Sequence, residues 1–168
     1  AHLVAQTRTT GGGQMTKRRG RLWNKAWPDH GCLRASVPVT VPFQDADPTG
    51  FTWHGNYFRY YDAARVALLD KLDFGYRQMA KIGQIWPIVD TRVRYIRSVP
   101  FGSTVTVAAQ LVEWEFRLRI YYELLDEQGQ RVNEAYTVQV PVTAPDESLI
   151  IGVPDLLRQK VAALIDAQ

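Results

Sequence analysis

The sequence has one cysteine, Cys32, among 168 residues, which excludes an internal disulfide framework and any multi-thiolate zinc site. No apolar run approaches the roughly 18 to 20 residues that a membrane helix requires, and the first thirty residues lack the apolar stretch of a secretory signal. The expectation is a cytoplasmic protein with no membrane insertion. Also missing are the Gly-x-Gly-x-x-Gly, Walker-type Gly-Lys-Ser/Thr, Gly-x-Ser-x-Gly and His-Glu-x-x-His patterns. Dinucleotide, nucleoside-triphosphate, serine-hydrolase and zinc-protease chemistry therefore lose their usual supports. No cofactor and no metal are expected, and no internal repeat suggests a solenoid or propeller.

With 46% hydrophobic and 22% charged residues, the chain has the composition of one ordinary globular domain. Its net charge of +3 is unevenly spread. Residues 1–34 carry seven Lys and Arg against the single acid Asp29, a net of +6, and the remainder is −3. This leader, with Lys17-Arg18-Arg19-Gly20-Arg21 and a Thr-Thr-Gly-Gly-Gly stretch, cannot bury a core. It reads as a flexible, solvated segment that could include residues foreign to the domain, with no specific nucleic acid partner expected. The folded domain is expected over 35–168.

Within that domain, Ser36 to Phe43 puts Val37, Val39, Val41 and Phe43 on one face and two prolines on the other. The pattern predicts an edge strand, where a missing N–H is tolerated. From Asn56 to about Asp73, Tyr57, Tyr61, Ala64, Leu68 and Leu72 recur at helical period. They predict one long helix, capped by Asn56 and solvated along Arg59, Asp62, Arg65, Asp70 and Lys71. A short helix around Tyr76 to Lys81 comes next. Four runs of period two follow: Val89 to Tyr95, Val105 to Leu111, Leu118 to Leu124, and a last one with Val138, Val140 and Val142 inward. Turns at Pro100-Phe101-Gly102-Ser103 and Asp126-Glu127-Gln128-Gly129 separate them. Pro154 to Ala167 reads as a C-terminal helix. The order describes an α+β domain, an antiparallel sheet of about five strands wrapped around one long helix. An exposed sheet edge invites a second copy, so a homodimer is expected.

Phe43 to Tyr57, between the first strand and the long helix, carries the densest chemistry. Asp45 and Asp47 with Pro48-Thr49-Gly50 make a tight polar turn, and His54-Gly55-Asn56 stands immediately before the helix. Backbone N–H groups at a helix start have no partner within the helix and carry the positive end of its dipole. They can polarise a carbonyl and stabilise an oxyanion while a nearby carboxylate acts as base or nucleophile. The same residues also admit a purely structural account, with an Asx-type turn at the aspartates, packing for His54 and capping for Asn56. Calcium is rejected, because the alternating ligands and terminal Glu of a calcium loop are missing.

The segment resembles the hotdog-fold acyl-CoA thioesterases of the 4-hydroxybenzoyl-CoA thioesterase type, including relatives found with the Tol-Pal system. Phe43, Asp45, Asp47, Gly50, His54, Gly55, Asn56, Tyr57 and Ala64-Arg65 match the family motif, and Tyr95 to Gly102 is similar to its Pro-containing turn. The resemblance spans about residues 36 to 143. It implies a hotdog fold with subunits paired edge to edge, as a homodimer or homotetramer, and the site at their interface. It implies Asp47 as the catalytic carboxylate, nucleophile or general base, with His54 beside it. The donors around His54 and Gly55 would hold the thioester carbonyl, and Asn56 and Tyr57 would complete the substrate-binding, oxyanion-holding group. Asp45 takes a structural place. Another hotdog branch keeps a Glu or Gln on the long helix, where this chain offers Asp62 and Asp70.

The resulting expectation is a hydrolase of acyl-CoA or acyl-carrier-protein thioesters. The alternative is a noncatalytic module of the same fold that binds an acyl group or a carrier protein. A third reading makes the basic leader the working part, a tether to nucleic acid or an anionic membrane surface. Arg92, Arg94 and Arg97 are candidates for CoA phosphates or plain exposed charge, and Tyr76, Trp86 and Phe101 for an acyl tunnel or plain core.

Overall fold

A computed structural model describes residues 30–167. The leader ahead of His30 lies outside the described residues. A 3-10 turn, Gly31–Leu33, places Leu33 in the core, so packed residues extend ahead of residue 35. Strand β1 (Arg34–Thr40), helix α1 (Tyr57–Lys71), short helix α2 (Tyr76–Lys81) and the two-residue strand β2 (Gln84–Ile85) come next. Strands β3 (Ile88–Tyr95), β4 (Thr104–Glu113), β5 (Leu118–Leu125), β6 (Arg131–Gln139) and β7 (Val142–Thr143) follow, and α3 (Asp155–Asp166) closes the order. The five long strands form one antiparallel sheet in the order β1-β4-β5-β6-β3, and β2 pairs with β7 separately. The sheet wraps α1, which packs over β1 and β4; this is the expected α+β hotdog arrangement. Among the described residues no helix is long and apolar enough to cross a membrane.

Strand β1 lies at an edge of the sheet, as its prolines require, with Pro38 opposite Thr106. It ends before Phe43, which was expected on its inward face. The chain turns there through a 3-10 segment, Phe43–Asp45, and the Phe43 ring is exposed, edge-on to Phe101 at 5.4 Å. Helix α1 buries Tyr57, Tyr61, Ala64 and Leu68 as its period dictates, with Tyr60 and Leu69 widening the stripe. Each fully buried leucine there contributes about 2 kcal/mol through apolar area removed from water. Arg65 departs from the expected solvated face. It is buried beside Ala64, one turn beyond Tyr61, with its Nη2 donating to Asp62 Oδ1 at 2.6 Å. Asn56 makes no side-chain cap; its Nδ2 donates to the Asp45 carbonyl at 3.0 Å.

Strand β5 turns Leu118, Ile120, Tyr122 and Leu124 into the core. The register of β6 corrects the expected face of the last strand. Opposite those four residues stand Gln139, Thr137, Ala135 and Asn133, so Val138 lies on the other face, and Val142 belongs to β7. The helix-facing side of β6 is polar, and one atom of each group finds a partner: Asn133 Oδ1 accepts from the Tyr61 hydroxyl, Thr137 pairs with Tyr122 at 3.0 Å, and Gln139 Nε2 donates to the Trp86 carbonyl at 2.7 Å, while Asn133 Nδ2 and Gln139 Oε1 are buried without a protein partner among the described residues. Trp86 itself is core, edge-on to Phe74. The convex face buries Glu134 under charged neighbours, with Arg131 at 2.7 Å, Arg94 at 3.4 Å and the Tyr121 hydroxyl at 2.8 Å. At the far edge, Val89 and Thr91 of β3 are exposed, Thr91 although it stands opposite Thr137 on the helix-facing side, because α1 covers the opposite half of the sheet.

Candidate active site

Asp45 and Asp47, two residues apart, meet opposite environments. The Asp45 carboxylate is buried and accepts from Arg59 Nη1 at 2.6 Å and from the Tyr60 hydroxyl at 2.9 Å. Its backbone carbonyl accepts from the Trp53 N–H at 2.9 Å and from Asn56 Nδ2 at 3.0 Å. Asp45 thus fastens the loop to the first turns of α1. Asp47 stands at the solvent side. Its N–H donates to the Phe51 carbonyl at 2.8 Å, and the Gly50 N–H donates to the Asp47 carbonyl at 3.0 Å, closing a turn that needs the positive φ of 82° at Gly50. Asp47 Oδ1 accepts from the Thr49 hydroxyl and, at 2.8 Å, from the Thr49 N–H. The Thr49 hydroxyl and then its amide hold the Asp47 carboxyl below the ordinary carboxylate range, so it is ionised at neutral pH. Both Thr49 bonds end on Oδ1.

Past Trp53, a 3-10 turn, His54–Asn56, runs directly into α1. The first helical bond is from the Asn56 N–H to the Trp53 carbonyl at 2.9 Å. The amides of His54 and Gly55 precede it and have no acceptor within the helix. A Cβ on Gly55 would stand 2.1 Å from Cζ3 of Trp53, because the indole lies across that position. A cavity of about 300 Å³ brings Asp47, Thr49, His54, Tyr57, Tyr95 and Arg97 to one wall. Gly55 and Asn56 are not on that wall, and both amide donors of Asn56 are engaged internally. The Tyr57 ring is buried at the cavity floor, and burial raises its phenol above the ordinary range, keeping it protonated.

Thr49 and Tyr95 were not singled out as site residues from the sequence. Thr49 had a local signal, since Asp-x-Thr is the spacing of an Asx-type turn. Tyr95 had none: it comes from the end of β3, and its hydroxyl donates to the His54 carbonyl at 2.8 Å. Among the described residues, no group of three or more His, Cys, Asp or Glu is placed to hold a metal.

The profile of the thioesterase-like superfamily matches residues 41–161. The chain belongs to the thioesterase-like superfamily. Its match takes in the aspartate loop, α1, the rest of the sheet and the start of α3. A Bacillus subtilis (strain 168) relative named "Putative acyl-CoA thioesterase YneP" is 27% identical over 93 residues, 55% of this chain and 67% of that protein. A DHNA-CoA thioesterase from Staphylococcus aureus superimposes with a TM-score of 0.70 at 26% identity, covering 80% of this chain and 94% of that one. The same fold recurs, at 21% identity and a TM-score of 0.67, in a 4-hydroxybenzoyl CoA thioesterase mutant complexed with 4-hydroxybenzoyl CoA, covering 76% of this chain and 97% of that one. As a member of the thioesterase-like superfamily, the protein is a thioesterase.

Proposed function

We propose that the protein hydrolyses acyl-CoA thioesters, with Asp47 as nucleophile or general base. The observation that carries this reading is the meeting of an ionised, solvent-facing carboxylate and a helix start at one cavity. Oδ2 of Asp47 attacks the thioester carbonyl or takes a proton from a water that does so. The amides of His54 and Gly55 receive the negative charge that develops on the carbonyl oxygen, where preorganised donors act most strongly. Collapse of the tetrahedral species expels the thiolate, a good leaving group that needs no strong general acid; on the nucleophile route water then hydrolyses the Asp47 acyl anhydride, releasing the acid and restoring the carboxylate. Asn56 serves this arrangement by fastening the helix start to Asp45, and Tyr57 forms the floor against which the acyl group packs.

The test is thiol release from a panel of aliphatic and aromatic acyl-CoAs by the wild type and by Asp47→Asn. The expected result is turnover in the wild type and a loss of about 10²-fold to 10⁴-fold in the variant. Near-full turnover in Asp47→Asn refutes the assignment. Acyl-carrier-protein thioesters extend the same panel. The reading includes a cytoplasmic homodimer or homotetramer assembled through the exposed β3 edge, with residues 1–34 as a leader to a domain over 35–168. One observation favours the noncatalytic alternative, an acyl-binding module: both Thr49 bonds to Asp47 are those of an ordinary Asx turn. Equilibrium binding of acyl-CoA with no turnover would establish it.

A further inference from the structure

The surface beside the aspartate loop carries an aromatic pair that the core does not use. Phe43 is 76% exposed and Phe101 49%, and their rings meet edge-on at 5.4 Å. Both are mounted on bonded backbone. The Gly102 N–H donates to the Val41 carbonyl at 2.8 Å and the Val41 N–H to the Ser103 carbonyl at 2.9 Å, which ties the turn that carries Phe101 to the chain just ahead of Phe43. On its other side the Phe101 N–H donates to the Gly50 carbonyl at 3.1 Å, and Phe51 bridges Pro100. Phe51 lines the cavity that holds Asp47, whereas Phe43 and Phe101 do not. The pair therefore stands just outside that cavity, joined to its wall by the backbone.

Apolar surface held in place and left in water costs free energy, so a fixed, exposed pair of rings calls for an occupant. Two phenyl rings offer roughly 150–250 Å² each, short of the about 800 Å² per partner that a stable protein interface buries. They are enough for one flat ring system. Stacking suits so open a place, because a base covers an aromatic face while its polar edge stays in water. An aliphatic chain laid there would keep much of its surface wet. On the cavity wall, the exposed Arg97 has a guanidinium that makes no hydrogen bond or ion pair among the described residues, a cation open to a phosphate. A flat base and phosphates on one molecule describe a nucleotide. The thiol carrier of an acyl-CoA ends in one, adenine with its phosphates beyond the pantetheine arm.

The geometry points to the Phe43 and Phe101 pair as the seat of the adenine ring of the substrate's coenzyme A. The pair touches no reacting atom; it selects the nucleotide-bearing carrier over one that ends at phosphopantetheine. This inference rests on the proposed hydrolase reading.

The test compares two substrates that differ only beyond the pantetheine arm. One is whichever of benzoyl-CoA, hexanoyl-CoA and palmitoyl-CoA the wild type hydrolyses fastest, and the other is the phosphopantetheine thioester of the same acid. The wild type is expected to favour the CoA thioester by about tenfold in kcat/KM, the size of one base–aromatic stack. Phe43→Ala and Phe101→Ala should each lower kcat/KM for the CoA thioester by about tenfold through KM, and leave the phosphopantetheine thioester within about twofold. Phe43→Trp, which keeps an aromatic face, should retain the wild-type preference. An equal loss on both thioesters overturns the inference and assigns the rings to the arm or the acyl group. A changed oligomeric state in sedimentation overturns it in favour of a second copy, and unchanged kinetics in both alanine variants overturn it outright; each of these results leaves the hydrolase intact. A wild type that hydrolyses none of the three acyl-CoAs overturns the hydrolase reading and this inference with it.

Discussion

The root and the rim of the loop between β1 and α1 are built from the same residue type and do opposite work. At the root, Asp45 is enclosed, and both carboxylate oxygens and the backbone carbonyl are engaged with Arg59, Tyr60, Trp53 and Asn56. At the rim, the Asp47 carboxylate is exposed and accepts from the Thr49 hydroxyl and amide of its own turn. A carboxylate with all its bonds made is a fastener. One held ionised at the solvent side is what the proposed hydrolysis needs. Sequence spacing alone does not separate these roles; the direction of the chain between the two residues does.

The sharpest way to break the contrast is to exchange the effects of losing each carboxylate. Asp47→Asn is expected to cost about 10²-fold to 10⁴-fold in kcat with an unchanged urea midpoint; a midpoint that falls instead would move Asp47 into the structural class. Asp45→Ala is expected to do the reverse. Removing the buried partner of Arg59 and Tyr60 should lower unfolding stability by about 3 kcal/mol, while kcat per folded molecule stays within about tenfold, as denaturant titration and active-site-normalised kinetics would report. A smaller effect is expected at the helix start, where Gly55→Ala must push aside the Trp53 indole. A fall in kcat of about tenfold with a shift in tryptophan emission is expected, and unaltered emission would show that the backbone moved instead. The smallest concerns pH. The Thr49 hydroxyl is the largest cause of the lowered Asp47 pKa, so Thr49→Val should raise that pKa. A reaction that needs ionised Asp47 loses rate as pH falls through this value, so the acid limb of kcat/KM should move to higher pH in the variant. An acid limb in the same place would assign it to another group.

Much of this was legible in the sequence, and where it failed the reasons are specific. The stripe on α1, the prolines of β1, the turn at 100–103 and the β5–β6 hairpin turn at 126–129 are local signals, and the structure follows them. The face of β6 was misread because valines mark an inward side only when the opposite side has no polar partners. Here Asn133, Thr137 and Gln139 are accommodated against the core by Tyr61, Tyr122 and the Trp86 carbonyl, groups from three other segments. Arg65 was misread for a similar reason: charge suggested solvent, but its place beside Ala64 on the helix puts it among buried neighbours. The aspartate loop was visible as a constellation. The division of labour within it required Arg59 and Tyr60 on α1, and the grip on the helix start required Tyr95 from some forty residues away.

The indole lying across Gly55 makes the helix start observable with light. Trp53 is about half exposed, stands 4.7 Å from the His54 ring, and among the described tryptophans is the one whose ring lies across the Cβ position of Gly55. Trp86 and Trp114 sit in or against the hydrophobic core and provide a steady background. A thioester carbonyl arriving at the Gly55 amide changes the field and the water around that ring at the moment of contact. On the proposed reading, a change in Trp53 emission on mixing with an acyl-CoA in stopped flow would report the arrival of the acyl group without a label.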